Sequence, residues 1–471
     1  MKDLRFGTDG WRDVIAAGFT VDNVARVGWA VARWLQGREG SPSVVVGYDT
    51  RFGGRMFAET LAKVLSQKGV KVYLSPGMVT TPMLSYGVKR LEADAGLMVT
   101  ASHNPPQYSG IKVKGPHGGP LDAATTRIIE GVVPEVNEVS LNAIRWERRL
   151  QDERIEYADL EQLYVERVKE RFPEVLREIS SLRPAFDVMY GSALRVVPRL
   201  FPGALVLHGE ENPSFGGMAP EPVAGRLLEL QERMRKEGQY RLGIALDGDA
   251  DRVALLDEEG NYVDAHHLIL LLIRYLAGVK NLRGKVVTGI TTTQKVETLC
   301  RRYGLEVQRT PVGFKEVSAI MRAEEVLLGG EESGSIAMMG HIPERDGLWL
   351  ALTVMEYMLE SGRSLSELLK ELERVTGPFA CDRADVPMSE EERRQVLRRC
   401  GEGEFEHFGP FRVTHMLEFD GYKYFFGDGE WLMVRASGTT PVLRLYAEGR
   451  DAARVEAILR AGYETLMTAR S

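Results

Sequence analysis

One hydroxyl stands out by its position. Ser102 lies in Thr100-Ala101-Ser102-His103-Asn104-Pro105, a polar turn directly after the apolar run Gly96-Leu97-Met98-Val99, and Lys112 follows ten residues later. Pro105 and Pro106 keep a helix from absorbing the turn. A serine at the tip of a strand is placed to act as a nucleophile or to carry a phosphoryl group. Turns rich in Ser, Asn and Pro also occur as plain loops, so the assignment depends on the rest of the chain.

Asp247-Gly248-Asp249-Ala250-Asp251-Arg252 is a second such segment, set between the strand-like runs 242–246 and 253–256. Carboxylates at alternate positions of an extended segment project to one side, which predicts three hard oxygens around one divalent cation. An acidic hairpin turn is the plain alternative. An EF-hand fits Asp247, Asp249, Asp251 and Glu258 but fails at Arg252, where that loop needs glycine, and apolar strand follows where later ligands belong. Gly329-Gly330-Glu331-Glu332-Ser333-Gly334 offers a carboxylate and a hydroxyl in a loop thin enough for close backbone approach, which suits sugar hydroxyls. Arg435-Ala436-Ser437-Gly438-Thr439-Thr440-Pro441, with Arg444 beyond, combines arginines, hydroxyls and a glycine amide that could cradle a phosphate dianion. Near the start, Gly7-Thr8-Asp9-Gly10-Trp11-Arg12 and Gly47-Tyr48-Asp49-Thr50-Arg51 each carry an arginine in a polar loop. Each arginine could serve a phosphate or brace a loop through a carboxylate; bracing is the reading for Asp9 and Asp49, and Arg12 stays open.

The elements that must position these loops alternate between β-rich runs and amphipathic helical patterns. Val21, Val24, Val27, Val31 and Trp34-Leu35 recur at helical spacing, followed by a buried strand at 43–47, a helix over 56–68 and a strand over 70–74. Similar strand–helix–strand patterns return at 185–207 and 285–309, so three related α/β units are expected. Charged stretches at 147–156 and 390–399 read as solvated segments. After Gly377-Pro378 the pattern changes to short strands with separate helices, an α+β domain. The expected divisions are 1–149, 150–253, 254–375 and 376–471.

With 471 residues, 44% of them hydrophobic and 27% charged, the chain is long enough for several globular cores. A net charge of −7 argues against nucleic acid as a partner, though local arginines can still gather an anionic substrate. Cys300, Cys381 and Cys400 form neither a disulfide framework nor a metal-type pair. The absence of an apolar leader or a bilayer-length apolar span gives a cytoplasmic expectation with no membrane partner.

Taken in order, these motifs resemble the α-D-phosphohexomutase family, in its phosphoglucomutase/phosphomannomutase branch, over the whole chain. The resemblance implies four domains, three similar α/β units with mixed sheets plus a C-terminal α+β domain, heart-shaped around a central cleft. It implies that Ser102 is a phosphoserine, that Asp247, Asp249 and Asp251 hold Mg²⁺ together with Ser102, and that Lys112 is the general acid/base. Arg12 would stand near the phosphoserine and His103 would orient its loop. Arg252, Glu331 and Ser333 would meet the sugar, and Arg435, Ser437, Gly438, Thr439 and Arg444 its phosphate. The implied reaction moves phosphate between the 1- and 6-positions of glucose or mannose through a bisphosphorylated sugar, with glucose 1,6-bisphosphate as activator. A hexose phosphate is then the partner, and the chain a monomer or homodimer.

Two positions depart from the family pattern. Ser335 stands where many relatives have histidine, leaving that role vacant or passed to His341, and Thr440 replaces a glutamate of the phosphate loop. Phosphoglucosamine mutase is the runner-up, against which Thr100 tilts slightly, because that turn more often begins with serine. A metal-dependent phosphatase would admit water and usually needs a second ligand cluster. A protein that only binds sugar phosphates would not need Ser102, Lys112 and all three aspartates.

Overall fold

The structure is a computed structural model that describes residues 4–7, 9–37, 40–437 and 442–468. It divides into two compact units. One holds the chain up to Ala265 together with Phe314–Leu368; the other holds His266–Gly313 and the chain from Leu369 on.

The first unit opens with a six-stranded mixed sheet. Its strands are β1 (Trp11–Val14), β2 (Ser43–Tyr48), β3 (Lys71–Leu74), β4 (Ala95–Val99), β5 (Tyr108–Lys114) and β6 (Ile155–Tyr157), in the order β1-β5-β4-β2-β3-β6. The valine stripe forms α1 (Val21–Leu35), N-capped by the Thr20 hydroxyl, which accepts from the Asn23 amide at 3.3 Å. α2 (Gly54–Gln67) and α3 (Thr81–Arg90) complete this layer, and Val27, Val31, Val44, Val46, Leu61 and Leu97 lie in one core. Two features of this sheet place the chemistry. β4 is parallel to β2, and the Ser102 turn follows its C-terminal end. β5 returns antiparallel with Lys112 opposite Met98 and Lys114 opposite Gly96, so alternation puts both lysines on one face.

A second mixed sheet has β7 (Pro184–Asp187), β8 (Leu205–Leu207), β9 (Leu242–Leu246), β10 (Val253–Leu256) and β11 (Tyr262–Val263), ordered β11-β10-β9-β7-β8. The acidic loop connects β9 to its antiparallel neighbour β10. A hairpin of Val326–Gly330 and Ile336–Met338 carries the Glu331–Ser333 loop between its strands. The helix Gly347–Ser361 follows, N-capped by Asp346.

In the second unit, Lys285–Gly289 pairs in parallel with Val307–Thr310 around the helix Lys295–Tyr303, the expected strand–helix–strand pattern. Its C-terminal part is a five-stranded antiparallel sheet containing Ala380–Pro387, Val442–Gly449, Glu430–Ala436, Tyr422–Gly427 and His415–Glu418, with the helix Ala452–Thr468. The charged stretch at 390–399 is not simply a solvated segment. It is a helix, Glu390–Gly401, started by a Ser389/Glu392 capping box and burying Val396 and Cys400. Among the described residues, no helix is long and apolar enough to cross a membrane.

Candidate active site

All the groups described next, down to the Glu331–Ser333 loop and His341, lie in the first unit. Ser102 is buried and adopts the left-handed backbone region at φ +51°. Its amide donates to the Thr100 hydroxyl at 2.8 Å, and its own hydroxyl donates to Asp247 Oδ2 at 2.6 Å. His103 Nδ1 lies 3.2 Å from the same hydroxyl. Burial and the neighbouring cations, Arg252 first, push the His103 imidazole well below its ordinary pKa and keep it neutral.

The serine turn and the acidic loop touch through backbone. A Cβ on Gly248 would lie 2.6 Å from the Ser102 carbonyl oxygen, so only glycine fits that position. The acidic loop is a turn, with Ala250 at φ +58° and its amide donating to the Asp247 carbonyl at 3.0 Å. The extended geometry expected for 247–251 is therefore corrected. The three aspartates converge because the chain folds back, not because they alternate along a strand.

Asp247, Asp249 and Asp251 are fully buried and offer one ligand oxygen each within 4.8 Å of one another. Burial, with Asp249 and Asp251 alongside, raises the Asp247 carboxyl well above the usual carboxylate range. Asp249 is different. Burial opposes its charge, but Lys112 and the Thr81 hydroxyl more than offset that and hold its pKa below the ordinary value. Lys112 Nζ is 2.8 Å from Asp249 Oδ2 and 3.0 Å from Asp9 Oδ2, and it also bonds Asp251 Oδ2. Burial disfavours the ammonium, yet Asp249, Asp251 and Asp9 raise its pKa and keep it charged.

These bonds use one oxygen of each carboxylate. The Oδ1 atoms of Asp249 and Asp251 are buried without a hydrogen-bond partner. Hard oxygens that are buried, close together and unsatisfied fit the donor set of a divalent cation such as Mg²⁺.

Sequence reading missed several neighbours. Arg345 bonds Asp9, lies 2.7 Å from Asp251 Oδ2 and 3.1 Å from Glu344 Oε1, while Lys114 pairs with Glu344. Asp9 therefore does more than brace its own loop: it links Lys112, Lys114 and Arg345. Thr81, at the start of α3, bonds Asp249 through its hydroxyl and donates its amide to the Asp249 carbonyl at 3.0 Å. The period-two spacing of Lys112 and Lys114 was a usable signal for the shared face; the others had none in local spacing.

Arg12 Nη1 donates to Asn104 Oδ1 at 2.5 Å, on the serine turn. Arg252 lies 3.8 Å from Glu221, with its Nε buried and unpaired. Glu331 is buried in the loop of the 326–338 hairpin, and Ser333 donates to Ser335 Oγ at 3.0 Å. Ser335, at the family's histidine position, thus fixes Ser333. His341 does not take over the histidine role: Nε2 meets Asp346 Oδ2 at 2.9 Å, and the ring stacks on Trp349 at 3.7 Å. In the second unit, Arg435 donates to Asp420 at 2.8 Å, Arg444 lies 3.6 Å from Asp385, and the Ser437 amide donates to the Val442 carbonyl at 3.1 Å. Gly438, Thr439 and Thr440 lie outside the described residues.

Comparison with known proteins assigns the class. Fold and sequence make this protein a phosphohexomutase, an isomerase working by intramolecular phosphotransfer, with a four-domain α/β architecture. The chain belongs to the phosphoglucomutase/phosphomannomutase family: alpha/beta/alpha domain I matches residues 3–139, domain II 162–260, domain III 264–375, and the C-terminal domain 381–462. Among its relatives, the phosphoglucosamine mutase of Rhodospirillum rubrum is 33% identical over 465 residues, 97% of each chain. The phosphoglucomutase/phosphomannomutase of Thermococcus kodakarensis is 30% identical over 98% of each. A crystal structure of a candidate phosphomannomutase from Thermus thermophilus superposes with a TM-score of 0.86, at 32% identity and 99% of both chains.

Proposed function

We propose that this protein interconverts glucosamine 6-phosphate and glucosamine 1-phosphate through a phosphoserine at Ser102 and a bisphosphorylated sugar. The observation that carries the site assignment is the Ser102 hydroxyl 2.6 Å from Asp247, beside buried, unsatisfied oxygens of Asp249 and Asp251. The amino-sugar reading rests on the activity named for the Rhodospirillum relative. Thr100 no longer weighs against it. Its hydroxyl is buried, donates to Asp49 Oδ2 at 2.5 Å and accepts from the Ser102 amide, so it reads the turn and not the sugar. Glucose and mannose phosphates are the second reading, favoured by the names of the Thermococcus and Thermus proteins.

In the first transfer a sugar hydroxyl oxygen bonds to phosphorus as the bond to Ser102 Oγ breaks. In the return transfer Ser102 Oγ bonds to the phosphorus at the other end of the bisphosphorylated sugar as that sugar oxygen–phosphorus bond breaks, rebuilding the phosphoserine. Lys112, charged in this environment, gives its proton to the departing Ser102 oxygen and takes one from the attacking hydroxyl, ending as it began. Bound at Asp247, Asp249, Asp251 and a Ser102 phosphoryl oxygen, Mg²⁺ would supply charge stabilisation for the transfer. Arg12 and Arg252 serve the phosphoserine and substrate, neutral His103 orients the turn, and Glu331 and Ser333 hold sugar hydroxyls. Arg435, Ser437, Gly438, Thr439 and Arg444 receive the distal phosphate.

Phosphorus NMR of the protein with Mg²⁺, a trace of glucose 1,6-bisphosphate and each hexose 1-phosphate in turn tests this reading. Conversion of glucosamine 1-phosphate to its 6-phosphate faster than the glucose and mannose esters is expected. Preference for glucose or mannose would overturn the amino-sugar reading, and free phosphate in place of isomer would favour hydrolysis.

A further inference from the structure

The Asp49-Thr50-Arg51 loop, read from sequence as an ordinary brace, closes around the backbone of the serine turn. Arg51 Nη2 donates to the carbonyls of Ser102 at 2.6 Å and Asn104 at 2.7 Å, and Nη1 donates to those of Pro105 at 2.9 Å and Tyr108 at 2.8 Å. One planar guanidinium therefore satisfies four carbonyls across seven residues of chain. The Phe215 ring lies under it at 4.9 Å, and Asp49 Oδ2 stands 3.3 Å from Nε. Asp49 also accepts from the Thr100 hydroxyl, which in turn accepts from the Ser102 amide.

This arrangement explains a strained feature. Ser102 holds φ +51°, in the left-handed region that residues with a Cβ rarely adopt. Such a conformation persists only where its surroundings over-determine it. Here the Ser102 carbonyl is taken by Arg51 and its amide by Thr100, so both peptide groups are fixed while the hydroxyl is left to face Asp247. A lysine could reach one or two carbonyls but not all four, because it is a point charge and not a fork.

We propose that Arg51, with Asp49 and Thr100, is the positioning device for the Ser102 nucleophile, holding its strained backbone so that Oγ meets the acidic loop. The proposal rests on Ser102 as the phosphoryl carrier. Misplacing a reacting atom by about 1 Å can cost on the order of 100-fold in rate, whereas substrate is held elsewhere. The device therefore acts on turnover and leaves substrate affinity alone.

The test compares wild type with Arg51→Lys, Thr100→Val and Thr100→Ser. Two readouts are needed: steady-state kcat and KM on the hexose phosphate that wild type turns over, and the single-turnover rate at which glucose 1,6-bisphosphate phosphorylates Ser102, followed by peptide mass. Arg51→Lys is expected to lose about 100-fold in both rates with KM within about threefold. Thr100→Val should lose about tenfold in the same pattern, and Thr100→Ser, which keeps the hydroxyl, should stay within about threefold of wild type. Wild-type rates in Arg51→Lys or Thr100→Val would overturn the proposal, as would a loss appearing only in KM. Should Arg51→Lys fail to fold, the Thr100 pair decides. Wild-type protein that isomerises sugar phosphate without labelling Ser102 would instead strike the nucleophile assignment, and the positioning role with it.

Discussion

Replacing Thr81 by valine deletes one hydroxyl and little else, and the structure says what it should cost. Thr81 is fully buried at the start of α3, where the preceding Thr80 caps the helix by accepting from the Met83 amide at 3.2 Å. Its hydroxyl bonds Asp249 Oδ2, the oxygen also held by Lys112, and leaves Oδ1 free. Valine fills nearly the same volume, and the Thr81 amide still reaches the Asp249 carbonyl. The loss is thus one hydrogen bond to a charged acceptor, about 1.5–3 kcal/mol. At about 1.4 kcal/mol per decade, that corresponds to roughly 10- to 100-fold in an equilibrium constant. Outer partners of metal-binding carboxylates typically cost about 10–100-fold in metal affinity when removed, an independent route to the same range. Manganese binding to dephosphorylated protein, followed by electron paramagnetic resonance with Mg²⁺ competition, should show Kd raised about tenfold or more in Thr81→Val and about unchanged in Thr81→Ser. Binding within twofold of wild type in a folded Thr81→Val protein would refute the argument. Equal weakening in both variants would assign the effect to disturbed packing around position 81 and not to the hydroxyl.

Other substitutions probe separate parts of the structure. Gly248→Ala forces a Cβ against the Ser102 carbonyl, so kcat should fall about tenfold or more with the circular dichroism spectrum unchanged. His341→Ala should lower unfolding free energy by about 1–3 kcal/mol in chemical denaturation while leaving kcat within twofold, because its ring serves Asp346 and Trp349. Lys423 is buried over the Trp431 ring at 3.6 Å and donates to the Ile290 carbonyl at 2.9 Å; burial, with Arg309 nearby, lowers its pKa to about 7 from 10.5. Between those values the unfolded chain binds the proton that the folded protein does not, so this group makes stability rise with pH, by at most about 1.4 kcal/mol per pH unit. The Trp431 face and the Ile290 carbonyl favour the ammonium and keep the slope below that limit. Denaturant midpoints from pH 7 to 10 should flatten in Lys423→Met relative to wild type.

What could be read in the sequence was local. Ser102 and the aspartates announce themselves because short loops between apolar strands restrict what so many polar side chains can be doing, and Lys112 because a lysine stands in the strand that follows the serine turn. The helix Lys295–Tyr303, which Gly304 ends, falls within the strand–helix–strand pattern expected over 285–309. The rest of the site is made by long-range contacts that no local spacing encodes. Thr81 and Asp249 are 168 positions apart, Lys114 and Glu344 230, and Arg345 and Asp9 336. The same limit explains the error over the acidic loop. Alternation was the right expectation for a strand, but Ala250 in the left-handed region turns the chain, and only the fold-back brings Asp247 near Asp251.

The charges of this site close on themselves, which gives the divalent cation a reason beyond the aspartates. Asp9, Asp249, Asp251 and Glu344 are four anions held by Lys112, Lys114 and Arg345, with Arg12 3.9 Å from Asp9 at the edge of the cluster. Asp247 would be a fifth anion; burial, with Asp249 and Asp251 beside it, raises its pKa well above the ordinary value, so without further positive charge it favours its protonated form. A divalent cation held by the three aspartates would supply the further positive charge with which Asp247 could ionise, since unpaired charge in a protein interior is costly. Arg12, 3.9 Å from Asp9, and Arg252, 3.8 Å from Glu221, are only loosely paired, and with His103 neutral they would be the charges to meet a phosphoserine dianion.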